Sequence, residues 1–149
     1  MTIEIVDFEE SLLEAKKMIA FDIQEALKDR LTKQHGYDEG NLQRHIFGKV
    51  INGDVVIEMP ITGKYLEFGT PPHWPPFDPV EKSFPDLYGW VRRKWGKGSS
   101  DGDKENKAAV FVLARHISKF GTRPYPFIRL TMKQDFKRIA TKALKDAFK

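Results

Sequence analysis

Four histidines, His35, His45, His73 and His116, are the residues best suited to proton transfer or metal binding, and no two of them stand three or four positions apart. Helix-borne metal sites use those spacings because residues at i and i+3 or i+4 share one face. A site here would have to be assembled by the fold alone. His116 falls on an apolar stripe and reads as a hydrogen-bonded boundary residue, and His73, between prolines, reads as a loop contact. Asp78 and Glu81 form a carboxylate pair in a proline-rich stretch, but no nucleophile or oxyanion donor accompanies them, so they read as exposed loop acids. Glu67 lies between Leu66 and Phe68 and is a candidate buried carboxylate. Burial of a charge requires a partner, and Arg123 and Arg129 are the candidates for a structural ion pair. The chain has no cysteine, which removes disulfides, zinc–thiolate sites and thiol nucleophiles. GxSxG, P-loop, GxGxxG and HExxH patterns are absent. The expectation is a protein without catalytic residues, cofactor or metal, and not an enzyme.

Binding chemistry is better represented. Trp90, Arg92, Arg93, Lys94, Trp95 and Lys97 mix bases with aromatics, a combination that suits single-stranded nucleic acid. Trp90 also matches a core-facing helical stripe, which competes with that use. The net charge of +4 is unevenly spread. Residues 1–75 carry 13 acids and 8 bases, and residues 76–149 carry 8 acids and 17 bases. A basic half can contact phosphates, present a solvated surface, or pair with the acidic half of another copy. No zinc-finger or RRM signature is present.

The elements that would position these residues can be read from periodicity. Phe8, Leu12, Ala15, Ile19, Ile23 and Ala26 recur at spacings of three and four, predicting an amphipathic helix from Glu9 to Lys33, with acids at its start and Gly36 as its stop. Gln43–Ile51 and Asp54–Met59 flank Asn52-Gly53, the pair favoured in a type I′ hairpin turn. Seven of the nine prolines lie between Pro60 and Pro85, together with Tyr65, Phe68, Trp74, Phe77 and Phe84. That composition predicts an ordered loop over 60–85 with aromatic side chains held in pockets. Pro85–Trp95 reads as a short helix. The polar run 96–107 reads as a flexible loop, followed by a helix capped near Asp103 or Asn106 and ending by Gly121. Arg123–Leu130 reads as extended, and Lys133–Phe148 as a final amphipathic helix with a basic outer face. The expected fold class is α+β over one domain, 1–149: a long N-terminal helix, a small antiparallel sheet with a hairpin, and further helices. The N-terminus carries acids in place of a signal-peptide pattern, and the longest apolar run, Ala108–Ala114, is too short to span a bilayer. The expectation is a soluble intracellular product with no membrane partner. The tripeptide Phe-Gly-Thr occurs twice, at 68–70 and 120–122.

Two segments together resemble one family. GKYLEFGT (Gly63–Thr70) is similar to the tyrosine-then-Glu-Phe-Gly-Thr signature of the tail-completion and head–tail joining proteins (neck and minor tail proteins) of long-tailed bacteriophages. ARHISKFGTRPYPFIRL (Ala114–Leu130) resembles the same family's Gly-Thr, proline, Pro-Phe, aliphatic, arginine segment. LYGWVRRK (Leu87–Lys94) resembles a short tryptophan-bearing helix of some members. The family pattern continues with proline and alanine where this chain has Leu130, Thr131 and Met132. The resemblance covers about Tyr65 to Leu130 and marks Tyr65, Glu67, Phe68, Gly69, Thr70, Trp90, Gly121, Thr122, Pro124, Pro126, Phe127 and Arg129 as motif residues. It implies a structural virion subunit in the neck or tail, forming a hexameric or dodecameric ring around the DNA path. Its implied partners are other copies, head-connector proteins, tail-tube proteins and genomic DNA passing without sequence-specific binding. His73, Trp74, Phe77, Arg92 and Arg93 are the candidate interface residues, and a small basic DNA-binding protein is the alternative function.

Overall fold

The computed structural model describes residues 7–35, 41–79, 84–95 and 100–149. Their order is α1 (Phe8–His35), α2 (Asn41–Arg44), β1 (Phe47–Ile51), β2 (Asp54–Glu58), α3 (Ile61–Phe68), α4 (Pro85–Trp95), α5 (Ser100–Phe120), α6 (Phe127–Gln134) and α7 (Phe136–Ala147). The fold is α+β, mostly helical, with one two-stranded antiparallel sheet. The chain packs as two compact units. One comprises residues 1–67 and 126–149, and the other is the intervening segment Phe68–Tyr125.

The first unit is organised around α1. Asp7 caps it, its Oδ1 accepting the amides of Glu9 (3.1 Å) and Glu10 (3.3 Å). Ala15, Ala20, Ile23, Leu27 and Leu31 are buried along one stripe, against the hairpin and against α6 and α7. Ile46, Phe127, Ile139 and Ala143 complete that core. The hairpin turns at Asn52 (φ 51°) and Gly53 (φ 85°), as a type I′ turn requires, with Ile51 opposite Asp54. Arg30 ties α1 to the α6–α7 joint through three side chains: Thr131 Oγ1 (3.0 Å), Gln134 Oε1 (2.9 Å) and Asp135 Oδ2 (2.9 Å).

In the second unit α4 packs on α5. Phe84, Val91, Val110 and Ala114 are buried together, with Leu87, Tyr88, Trp90 and Leu113 against them.

Several boundaries differ from the sequence-based expectation. The 60–85 stretch is not loop throughout, because α3 occupies Ile61–Phe68. Its residues between Pro60 and Pro71 contain no proline, so nothing breaks a helix there. The polar run expected as a flexible loop over 96–107 is helical from Ser100, where α5 starts, and 96–99 lie outside the described residues. Lys104, Glu105 and Lys107 are good helix formers, and within 104–107 Asn106 is the buried residue. The first strand starts at Phe47, after the short α2, and not at Gln43. The extended segment stops at Pro126, and the final helix is two helices broken at Asp135. The predicted stop at Gly36 lies outside the described residues.

Candidate functional site

The motif residues build two local junctions. In the first unit, Glu67 at the end of α3 is 3% exposed. Its Oε2 accepts the amide of Ile128 (2.8 Å) and its Oε1 the amide of Arg129 (3.2 Å). These amides open α6, whose own N-cap residue, Pro126, makes no side-chain cap bond. The first amides of a helix have no partner within it and sit at the positive end of its dipole. Glu67 supplies that missing cap from another helix. The anticipated ion pair with Arg129 exists at 3.6 Å, but the Arg129 side chain is largely exposed, so the backbone amides are the principal partners. Phe127 follows Pro126 into the core at 0% exposure. It is a packing residue, not a contact for partners.

In the second unit, the two Phe-Gly-Thr tripeptides meet. Thr70 and Thr122 form an isolated antiparallel bridge, with the Thr70 amide donating to the Thr122 carbonyl (3.3 Å) and the reverse bond at 3.1 Å. Their hydroxyls lie 2.9 Å apart, and each also accepts the other residue's amide, at 3.0 and 3.1 Å. Gly69 and Gly121 both have φ +69°. A Cβ on Gly69 would overlap the Thr122 carbonyl oxygen, and one on Gly121 the Thr70 carbonyl oxygen. The sequence showed the repeated tripeptide, but only the fold shows that its copies pair. Phe68 and Phe120, which precede the two glycines, are 64% and 69% exposed.

The candidate interface residues are dispersed. His73 is held by its own loop, Nδ1 lying 2.8 Å from the Pro71 carbonyl and its amide donating to Ile117 (3.3 Å). Trp74 stacks on Phe84 (6.2 Å, 13° between planes), and Phe77 lies 5.1 Å from the same ring. Both Trp74 and Phe77 remain more than half exposed, so the expected pockets do not enclose them; among the described residues of 71–84, Pro75 and Phe84 are buried. Arg92, Arg93 and Lys94 are exposed on α4. Trp90 packs on the α4–α5 core and meets Trp95 edge-on at 5.0 Å, so it is not a free stacking platform. His116 is exposed beside Phe120 (4.9 Å), not hydrogen-bonded at a boundary as anticipated. Tyr65 and Pro124 are exposed, while Pro126 is half-buried.

Among the described residues no three His, Cys, Asp or Glu side chains group as a metal site would require. Glu81 lies outside the described residues. The first unit has an apolar groove of about 420 Å³ between α1, β2 and α6, lined by Leu12, Ile19, Ile23, Val55, Ile57 and Met132. Its one charged lining residue, Lys16, donates to the Gly53 carbonyl (2.6 Å). A shallower cleft along α7 is lined by Lys137, Arg138, Lys142 and Lys145, all exposed. Among the described residues, no helix is long and apolar enough to cross a membrane. Comparison with models of known protein families, with characterised proteins and with solved structures found no match.

Proposed function

We propose that this chain is a structural subunit of a long-tailed phage virion, of the class that completes the tail or joins it to the head, and that it assembles as a ring around the DNA path. The observation carrying this reading is the use to which the motif residues are put. Glu67, Gly69, Thr70, Gly121, Thr122 and Phe127 fix backbone junctions, while large apolar residues such as Phe68, Phe120, Phe111 and Trp74 stay in solvent. Subunits of a ring cover such exposed side chains with a different face of a neighbour. The partners in this reading are further copies, head-connector and tail-tube proteins, with DNA held in the lumen without base recognition. The location is the virion neck or tail, after assembly in the host cytoplasm.

The test is sedimentation of the purified chain over a rising concentration series, with imaging of whatever forms and a binding assay on purified tails and capsids. Rings or tail binding support the reading. A chain that stays monomeric and ignores both particles sinks it.

A second reading, a small DNA-binding protein, draws on the basic face of α7. Tight binding of duplex DNA by the isolated monomer, falling steeply with salt, would favour it.

A further inference from the structure

Two helices carry an outward stripe in addition to the one they bury, and the two stripes match. On α1, Glu10, Glu14, Met18, Phe21 and Glu25 are all exposed and fall on one face. On α5, Lys104, Ala108, Phe111, Arg115 and Lys119 are all exposed and fall on the face opposite the buried Val110 and Ala114. The α1 spacings are four, four, three and four, and the α5 spacings are the same sequence read from the other end. Spacings of three and four keep these side chains on one helix face, the kind of stripe along which two helices can pack. Phe21 is 59% exposed and Phe111 is 55% exposed, far more than either needs as part of a core.

We infer that the α1 stripe of one copy packs antiparallel on the α5 stripe of a second copy. Both helices rise by the same amount per residue, so in an antiparallel pair the residues that lie level have numbers adding to a constant. One such constant places Glu10 beside Lys119, Glu14 beside Arg115, Met18 beside Phe111, Phe21 beside Ala108 and Glu25 beside Lys104. Three acid–base pairs bracket an apolar centre, and no like charges along the seam are opposed. A parallel pair with Met18 on Phe111 would also pair Glu14 with Lys107 and Asp22 with Arg115, but it would set Glu10 against Asp103, leave Lys119 facing Ala26, and offer Phe21 only Ala114, which is buried. The α1 acids already hold neighbours, Glu14 with Lys17 (2.7 Å) and Glu25 with Lys28 (3.6 Å). Exposed intrahelical pairs of this kind contribute little and are easily shared. Lys142 and Asp146 of α7 flank Met18 and Phe21 and form one rim of the contact. Glu105 is exposed on the flank of the α5 stripe.

Because the two stripes are different surfaces, the contact is heterologous. A pair of copies still presents one unused α1 stripe and one unused α5 stripe, so addition continues, and it ends in a ring where the rotation between neighbours closes. Five residues a side is a fraction of the roughly 20–30 a side of a standard interface; the helix pair sets register, and the remaining exposed aromatics add area. This inference rests on the assembly reading above and specifies the surface used.

The chain has no cysteine, so introduced thiols report the register without background. A Phe21→Cys copy mixed with an Ala108→Cys copy, bridged by a short bis-maleimide, is expected to give at least about tenfold more cross-linked pair than Phe21→Cys mixed with Lys119→Cys. In a second arm, Glu14→Arg and Arg115→Glu are each expected to weaken self-association about tenfold, and the two combined in one chain to restore it to within about threefold. All five substitutions are at exposed helix positions. Equal cross-linking in and out of register, or a double variant as weak as the singles, overturns the inference while wild-type assembly, measured by sedimentation, leaves the functional reading standing. A wild-type chain that never associates overturns both.

Discussion

Thr70 and Thr122 lie 52 positions apart in the chain, yet their hydroxyl oxygens are 2.9 Å from each other and their backbones exchange a pair of hydrogen bonds. Each follows a glycine with φ +69°, and each of those glycines sits under the other strand's carbonyl. The arrangement is close to two-fold symmetric, built from one tripeptide used twice.

Gly121→Ala should therefore destabilise the chain by more than the roughly 1–2 kcal/mol that a left-handed conformation costs an L-residue, because the new methyl also overlaps the Thr70 carbonyl. Gly53→Asn is the control. Its φ is also positive, but the space beside it is open to the Lys16 ammonium 3.8 Å away, and asparagine tolerates that conformation. Urea unfolding of both variants checks the ordering; equal losses would show that the clasp is not strained by a side chain.

Glu67→Ala removes the acceptor for two amides at the start of α6 and should cost about 1–3 kcal/mol, the usual penalty for stranding buried polar groups. Arg129→Ala should cost under about 1 kcal/mol, since its guanidinium is exposed and 3.6 Å from the carboxylate. Amide exchange at Ile128, which should accelerate in the first variant and not in the second, separates a capping role from an ion pair.

Asp135 titrates below its ordinary value of 3.8, chiefly through the hydrogen bond from Arg30, with the Arg138 hydrogen bond and both guanidinium charges adding and burial opposing. A carboxylate depressed in the folded state stabilises the fold fully above its unfolded pKa and loses that contribution as pH falls through the folded one. The Arg30–Asp135 pair should accordingly support the fold at neutral pH and stop doing so in acid below 3.8. Asp135→Asn should destabilise at pH 7 and flatten this part of the acid limb, as read from unfolding midpoints across pH.

Phe127→Ala and Trp74→Ala should part company. Phe127 is fully buried, and its truncation should cost about 3–5 kcal/mol. Trp74 only covers Phe84 from the solvent side, so Trp74→Ala should keep most of its thermal stability and lose assembly or particle binding. Normal assembly by the tryptophan variant would remove this loop from the contact surface.

How much of this was legible beforehand depends on range. The α1 stripe, the Asn52-Gly53 turn and the α4 face were readable because each depends on residues within a few positions. The α3 helix was hidden by counting prolines over a long window, when those that matter begin at Pro71. The polar start of α5 was missed because apolar periodicity is silent where a helix has no core to face. Glu67 was recognisable as a buried acid, but its partners are backbone amides, which no residue type announces. Arg30 carried no signal at all: its three partners lie more than a hundred positions away.

The inserted segment Phe68–Tyr125 has its two ends stitched to each other at Thr70 and Thr122, and the remainder of the chain has its own two ends stitched at Glu67 and Ile128. Material grafted between such seams imposes no stretch on its host. A segment of another length could therefore be set between these seams without pulling apart the residues that flank it.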